Sequence, residues 1–210
     1  MSKLPNPPRD LARISPGLLR LPAGTELWRL YKRGGRHPVS WNTFRTFGPL
    51  TTSRFDHHLP DEGGGPRLQD RGIYYAAMEI ATCLAELFQD TRTIDRESEE
   101  VTLVGFELLR AVELLDLTGT WPTQAGASMV LSSGPRSRSR LWSCAIYEAY
   151  SDVQGLYYPS SMHANRPAIA LYERAVSALT PVPLVHRPLS DPALLADLDR
   201  SAQRLGYRLV

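Results

Sequence analysis

Residues 72–90 read GIYYAAMEIATCLAELFQD. The run of aromatic and small apolar residues at 73–77 predicts a buried strand. It passes directly into a stretch in which Ile80, Cys83, Leu84, Leu87 and Phe88 recur at i, i+3, i+4, i+7 and i+8, the core-facing stripe of an amphipathic helix. Glu79, Thr82, Glu86 and Gln89 then share the opposite side. A strand that runs straight into a helix sets this polar side at a connection where clefts commonly form. Whether Glu86 faces water or a ligand is therefore the question that joins fold to function.

Working outward, ELWRLY at 26–31 alternates as a short strand, with Leu27, Arg29 and Tyr31 on one side and Trp28 and Leu30 on the other. Residues 32–72 are rich in Gly, Pro and His and are expected to form long loops around TSRFDHH at 52–58; long loops inside a compact domain are more often functional than idle. Residues 1–24 carry Pro5, Pro7, Pro8, Pro16 and Pro22 and are expected to form a loosely packed arm, leaving 25–210 as one domain. Downstream, 100–109 and 112–117 read as buried strands, 132–140 as a flexible basic loop, and 141–150 as a helix. Residues 155–161 and 168–175 read as strands. The C-terminal segment has Ser190 as N-cap, Pro192 in the first turn and Gly206 as C-terminal cap before a last strand. Strands and helices mix without clean alternation, which predicts an α+β fold and argues against a doubly wound parallel sheet.

The composition, 42% hydrophobic and 22% charged over 210 residues, is that of a folded globular protein, and a formal net charge of +2 singles out no polyanionic partner. No run approaches the roughly eighteen apolar residues of a membrane span, and the N-terminus lacks the apolar core of a secretory signal, so no membrane association and a cytoplasmic location are expected. Cys83 and Cys144 lack the spacing of a metal or disulfide framework and read as small buried residues. The GGG at 63–65 has no helix or Lys-Ser/Thr pair after it, so neither a dinucleotide fingerprint nor a P-loop is present. Adjacent His57 and His58 point apart and do not make a metal site. Ser160 and Ser161 lie outside a nucleophile elbow. Arg136, Arg138 and Arg140 are the one nucleic-acid candidate, but without interleaved aromatics they read as solvated surface. Arg29 and Arg54, one on a strand and one in a loop, could together grip a pyrophosphate, because a guanidinium presents a fork of donors matched to phosphate oxygens.

Taken together, LWRLY with Arg29, SRFDHH with Arg54, IYYAAMEIATCLAEL with Tyr75 and Glu86, GLYYPSS with Ser160, and RPAIALYERA after it occur in an order that resembles the RES-domain family, named for an Arg, a Glu and a Ser. The resemblance spans roughly 26–175. It departs at Ser53, where many members have Gly, and in a long segment between Arg29 and Arg54. It implies an ADP-ribosyltransferase-like fold with split small β-sheets around an NAD cleft, and a toxin of a toxin–antitoxin pair. Its implied chemistry consumes NAD+ as substrate, by phosphorolysis with inorganic phosphate as co-substrate or by hydrolysis, with ADP-ribosylation of a protein as the alternative and a nucleic-acid-binding or non-catalytic interaction module as the second. By the same resemblance Arg29 and Arg54 would contact the NAD phosphates, Tyr75 would flank the nicotinamide, Glu86 would be the key acid, and Ser160 would orient the ligand. No metal is implied. The implied partner is an Xre-like helix-turn-helix antitoxin that blocks the cleft, and nucleic acid would be reached only through it.

Overall fold

The computed structural model describes residues 5–34 and 40–210. The first four residues of the Pro-rich arm and residues 35–39 of the long loop segment lie outside the described residues. The strands are β1 (Leu18–Leu21), β2 (Glu26–Lys32), β3 (Arg45–Gly48), β4 (Arg67–Ala77), β5 (Thr93–Ile94), β6 (Val101–Glu107), β7 (Val112–Asp116), β8 (Gly155–Pro159), β9 (Pro167–Tyr172), β10 (Val185–Pro188) and β11 (Arg208–Leu209). The helices are α1 (Ile80–Leu87), α2 (Trp121–Gln124), α3 (Val130–Ser133), α4 (Arg136–Ala149) and α5 (Leu195–Leu205).

Among the described residues, nine strands follow the order β1-β7-β8-β9-β4-β2-β6-β10, with β3 on β4; β11 and β5 form a separate pair. The sheet is mixed, since β7 and β8 run parallel while the other neighbours are antiparallel. Its continuity is nearly broken at the centre. β4 matches β9 through five residue pairs and β2 matches β6 through seven, but β2 and β4 meet only at Trp28 and Ala77. Beyond that pair the strands separate, so the sheet is two half-sheets around a gap, the split α+β architecture expected.

Period-2 alternation fills both faces. Leu27, Tyr31, Tyr74, Val104, Phe106, Ile169 and Leu171 form one apolar layer that runs under both halves. The opposite face carries two separate cores. Over one half, Trp142 and Ile146 of α4 pack on Leu115, Leu156, Ala168, Ala170 and Tyr172. Over the other, Leu84 of α1 and Leu198 and Ala202 of α5 pack on Val101, Leu103 and Leu189. Each fully buried Leu or Ile stabilises the fold by about 1.5–3 kcal/mol through area removed from water. The gap between these two cores lies above the sheet's break.

Several expectations change in the structure. The segment before β2 is more than a loose arm: β1 pairs antiparallel with β7, Tyr150 Oη donates to the carbonyls of Leu11 and Ile14, and Trp142 Nε1 donates to Pro5 O. Five prolines rule out a long helix there and leave one 3-10 turn at Leu11–Arg13, but a four-residue edge strand between Pro16 and Pro22 needs only its own N–H groups. The strand before α1 begins at Arg67 and not at 73, because its polar first half projects past β9 and pairs only with β3. Residues 132–140 are not a flexible loop. Gly134-Pro135 precedes α4, whose helical pattern starts at Arg136, with Ser139 and Ser143 fully buried on its inner side. Asp191, and not Ser190, caps the C-terminal segment by accepting from Ala193 N at 2.9 Å. Gly206 does close α5 in the left-handed conformation at φ 67°.

Candidate active site

The gap in the sheet continues upward as a cleft of about 270 Å³ whose lining includes Arg29, Arg54, Tyr75, Glu86, Gln89, Arg136 and Tyr158. Four of the five residues singled out in the sequence thus share one cavity, and the fifth, Ser160, stands behind Glu86.

Arg29 reaches the cleft because β2 leaves β4 one residue after the Trp28–Ala77 pair. Its guanidinium lies 3.9 Å from the centroid of the Tyr74 ring, a cation–π contact, while Nε and Nη1 are buried without a hydrogen-bond partner. Burial pushes its pKa below the ordinary arginine value. Buried donors are normally paired, so such a group is suited to an anion.

Arg54 is aimed by a kinked loop. Phe55 adopts φ 58°, which turns its ring into the core while Arg54 faces the cleft. The kink is fixed from both sides: Tyr75 Oη donates to Arg54 O at 2.5 Å, and Ser143 Oγ donates to Phe55 O at 2.7 Å. Arg54 Nη1 donates to Gly134 O at 2.7 Å and to Ser139 Oγ at 3.1 Å. The Tyr75 ring therefore lines the cleft with its hydroxyl already engaged, and burial raises that hydroxyl's pKa.

Glu86 answers the question its helix raised. The polar side of α1 does not face bulk water: Thr82 is fully buried against His163 Nδ1 at 2.9 Å, while Glu86 and Gln89 face the cleft. Glu79, at the start of the helix, takes the half-exposed pairs with Arg166 at 3.5 Å and Arg204 at 3.1 Å. Ser160 Oγ donates to Glu86 Oε1 at 2.6 Å and accepts from the backbone N–H groups of Met162 and His163, each at 3.2 Å. Burial raises the Glu86 pKa, and the Ser160 bond and the charges of Arg54 and Arg136 oppose that rise. No arginine among the described residues comes within ion-pair distance of Glu86. The hydroxyl of Ser160 is thus spent on the carboxylate; its neighbour Ser161 lines the cleft.

Sequence reasoning missed Arg136, Gln89, Tyr158 and Cys83 as cleft residues. Gln89 lies one helical turn after Glu86, and Tyr158 shares a strand side with Ser160's approach, so both were within reach of spacing arguments. Arg136 was hidden by reading its helix start as solvated loop. Cys83 is buried and gives its Sγ–H to Trp28 O at 3.2 Å, with burial pushing its pKa up to about 12, an inert thiol. Outside the cleft, the loop at 55–58 is entirely buried. His58 bonds Asp56, and His57 sits between Tyr147 and Tyr172 with Nε2 3.4 Å from Glu173. Among the described residues no group of three or more His, Cys, Asp or Glu could hold a metal ion, and no helix is long and apolar enough to cross a membrane.

This arrangement is a split α+β sheet with arginines and one carboxylate in its gap, built without a glycine-rich loop. The model of the RES domain matches residues 26–193, and the chain belongs to that family. Among solved structures, a chain of the M. tuberculosis MbcT-MbcA toxin-antitoxin complex shares the fold, with a TM-score of 0.51 and 14% identity over 86% of this chain and 92% of that one. No curated protein sequence matches the chain.

Proposed function

We propose that the cleft binds NAD+ and cleaves its nicotinamide–ribose bond, and that the chain is the toxin of a toxin–antitoxin pair acting on cytoplasmic NAD. The observation that carries this reading is Glu86: a half-buried carboxylate held by one hydroxyl, in a cavity it shares with Arg29, Arg54 and Tyr75. Departure of nicotinamide builds oxocarbenium-like positive charge on the ribose. A fixed carboxylate in a partly dry site stabilises that charge better than water does, because it needs no reorganisation as the charge develops. Nicotinamide leaves as a neutral molecule, so the site needs no strong general acid. Arg29, with its unpartnered donors, and Arg54 fit the two phosphates of the dinucleotide. Ser160 holds the carboxylate toward the sugar, making it a positioning residue. The toxin role draws on the family and on the toxin-antitoxin complex that shares the fold; the partner it implies is a helix-turn-helix antitoxin of Xre type that covers the cleft.

The test is NAD+ loss with purified protein, products read by mass spectrometry, beside Glu86→Gln. Free nicotinamide should appear with the wild-type protein, and its rate should fall by at least about a hundredfold in the variant. Cleavage at the wild-type rate by folded Glu86→Gln would remove the reading. ADP-ribose recovered on an added protein and not in solution would move the reaction to protein ADP-ribosylation in the same cleft.

A further inference from the structure

Glu86 depends on a residue outside the cleft. A serine hydroxyl has one proton to donate and two lone pairs with which to accept. Both acceptor places on Ser160 are taken, by the N–H groups of Met162 and His163 at 3.2 Å each, so its proton is left for Glu86 Oε1 at 2.6 Å. The direction of that bond is therefore set by the turn that follows β8, residues 160–166.

That turn is not held by local preference alone. Ala164 and Asn165 both take positive φ, 45° and 61°, a region that residues with a Cβ seldom adopt. Such backbone persists where its surroundings over-determine it. Ser160 N donates to Arg166 O at 2.9 Å, Asn165 N to Ser160 O at 3.0 Å, and Arg166 N to His163 O at 2.8 Å. His163 also anchors the turn to its neighbour: the buried ring shares a 2.9 Å hydrogen bond, through Nδ1, with Oγ1 of Thr82, which is fully buried on α1. Thr82 lies one helical turn before Glu86 on the same side. The turn thus grips α1 at two successive points, the His163 ring at Thr82 and the Ser160 hydroxyl at Glu86. With eight residues and no side-chain cap at its start, α1 is too short to keep its place without such contacts. Burial and the charges of Arg204 and Arg166 lower the His163 pKa, and Glu79 opposes them, so the ring is neutral at pH 7. A neutral imidazole bonds a hydroxyl in either tautomer.

Resting on the reading that the cleft cleaves NAD+, we infer that His163 is a positioning residue for Glu86: its bond to Thr82 fixes the Ser160 turn against α1, and so fixes the carboxylate toward the charge that develops on the ribose. Neither His163 nor Thr82 is among the residues that line the cleft, so both act through Ser160 and Glu86 and not on the dinucleotide. The Ser160 bond favours the ionised carboxylate, so a turn that loses its hold on α1 raises the Glu86 pKa further and leaves the group less well aimed.

The test removes the Thr82–His163 bond and reads Glu86. Thr82→Val keeps the shape and loses the hydroxyl, His163→Ala loses the ring, and His163→Asn keeps a polar atom near the place of Nδ1. Glu86 is titrated without NAD+ through its 13C-labelled carboxyl resonance, assigned with Glu86→Gln, and kcat and KM for NAD+ are measured beside it. We expect the midpoint to move up in Thr82→Val and His163→Ala, toward the rise of about one pH unit that outright loss of the bond brings in Ser160→Ala. In the same two variants kcat should fall about tenfold with KM for NAD+ held, and His163→Asn and Thr82→Ser should recover part of both effects. The other charged or titratable groups that face Glu86, which are Arg54, Arg136, Cys83, Tyr158 and Tyr207, are the same in all these proteins. In a Ser160→Ala background, Thr82→Val should add no further shift. If His163→Ala does not fold, the Thr82 pair decides. An unmoved midpoint in folded Thr82→Val overturns the inference. So does an equal shift in the Ser160→Ala background, which would place the effect on the helix and not on the turn, and so does a loss confined to KM. A raised midpoint in a protein that spares NAD+ upholds the positioning while the cleavage reading falls.

Discussion

Glu86 is costly to the fold in the ionised state that the proposed cleavage needs. Burial raises its pKa, so its ionised form at neutral pH opposes folding; the stability is fuller below the carboxylate's unfolded pKa and declines as pH rises through the raised one. Glu86→Gln, which can still accept from Ser160 Oγ, should therefore melt higher than wild type at pH 7, on the order of a few degrees, with the difference shrinking in acid; thermal scans across pH check it. The proposed cleavage has the opposite dependence. The rate should fall as pH drops through the Glu86 pKa, and Ser160→Ala, by removing a bond to the ionised form, should move that acid limb to higher pH. A pH–rate profile of kcat/KM reads the shift, which a merely structural loss would not produce. The variant also strands the N–H groups of Met162 and His163, and should lose about 1–3 kcal/mol of stability to denaturant. Arg29, Arg54, Tyr75, Glu86 and Ser160 were legible as a set because their order matches a family pattern. Their contacts were not: nothing in GLYYPSS says that the Ser160 hydroxyl points at a carboxylate 74 positions earlier.

At the scale of elements, the strand-to-helix passage at 73–88 was legible because period 2 gives way to period 3.6 within one window. The start of α4 was not, since Ser and Arg carry no apolar signal; its inner side is set by Ser139, bonded to Leu131 O, and Ser143, bonded to Phe55 O, buried hydroxyls that a hydropathy pattern scores as surface. β2 and β6 show a different dependence. Trp28 lies opposite Gly105, and a Cβ on Gly105 would stand 2.7 Å from the Trp28 ring at Cζ3. Glycine is needed here for the room it leaves, so that the indole can lie across the neighbouring strand. Gly105→Ala should displace Trp28, cost about 1–3 kcal/mol in denaturant unfolding, and weaken NAD+ binding, because the Trp28 backbone takes the Cys83 Sγ–H and makes the sheet's one central pairing. Full stability with normal binding in that variant would show that the ring finds another seat.

For the whole molecule, α+β class followed from the irregular alternation of elements, but the break in the sheet did not, since whether two strands part after one pair depends on what packs over them. Here α4 draws one half-sheet and α1 with α5 the other, over a shared layer beneath. Strand edges are normally kept short, charged or covered on the outside of a protein. This chain keeps two of them inside, β2 and β4 facing each other past Trp28 and Ala77, with Arg29 and Tyr75 beside them. A ligand lodged there works as a weld along a seam: it touches both rims at once and supplies the cohesion that missing rungs do not. Amide exchange at Arg29, Leu30, Tyr75 and Ala76 should slow together when the cleft is filled, and a substrate that is consumed undoes the weld, returning the molecule to two plates joined at a rivet.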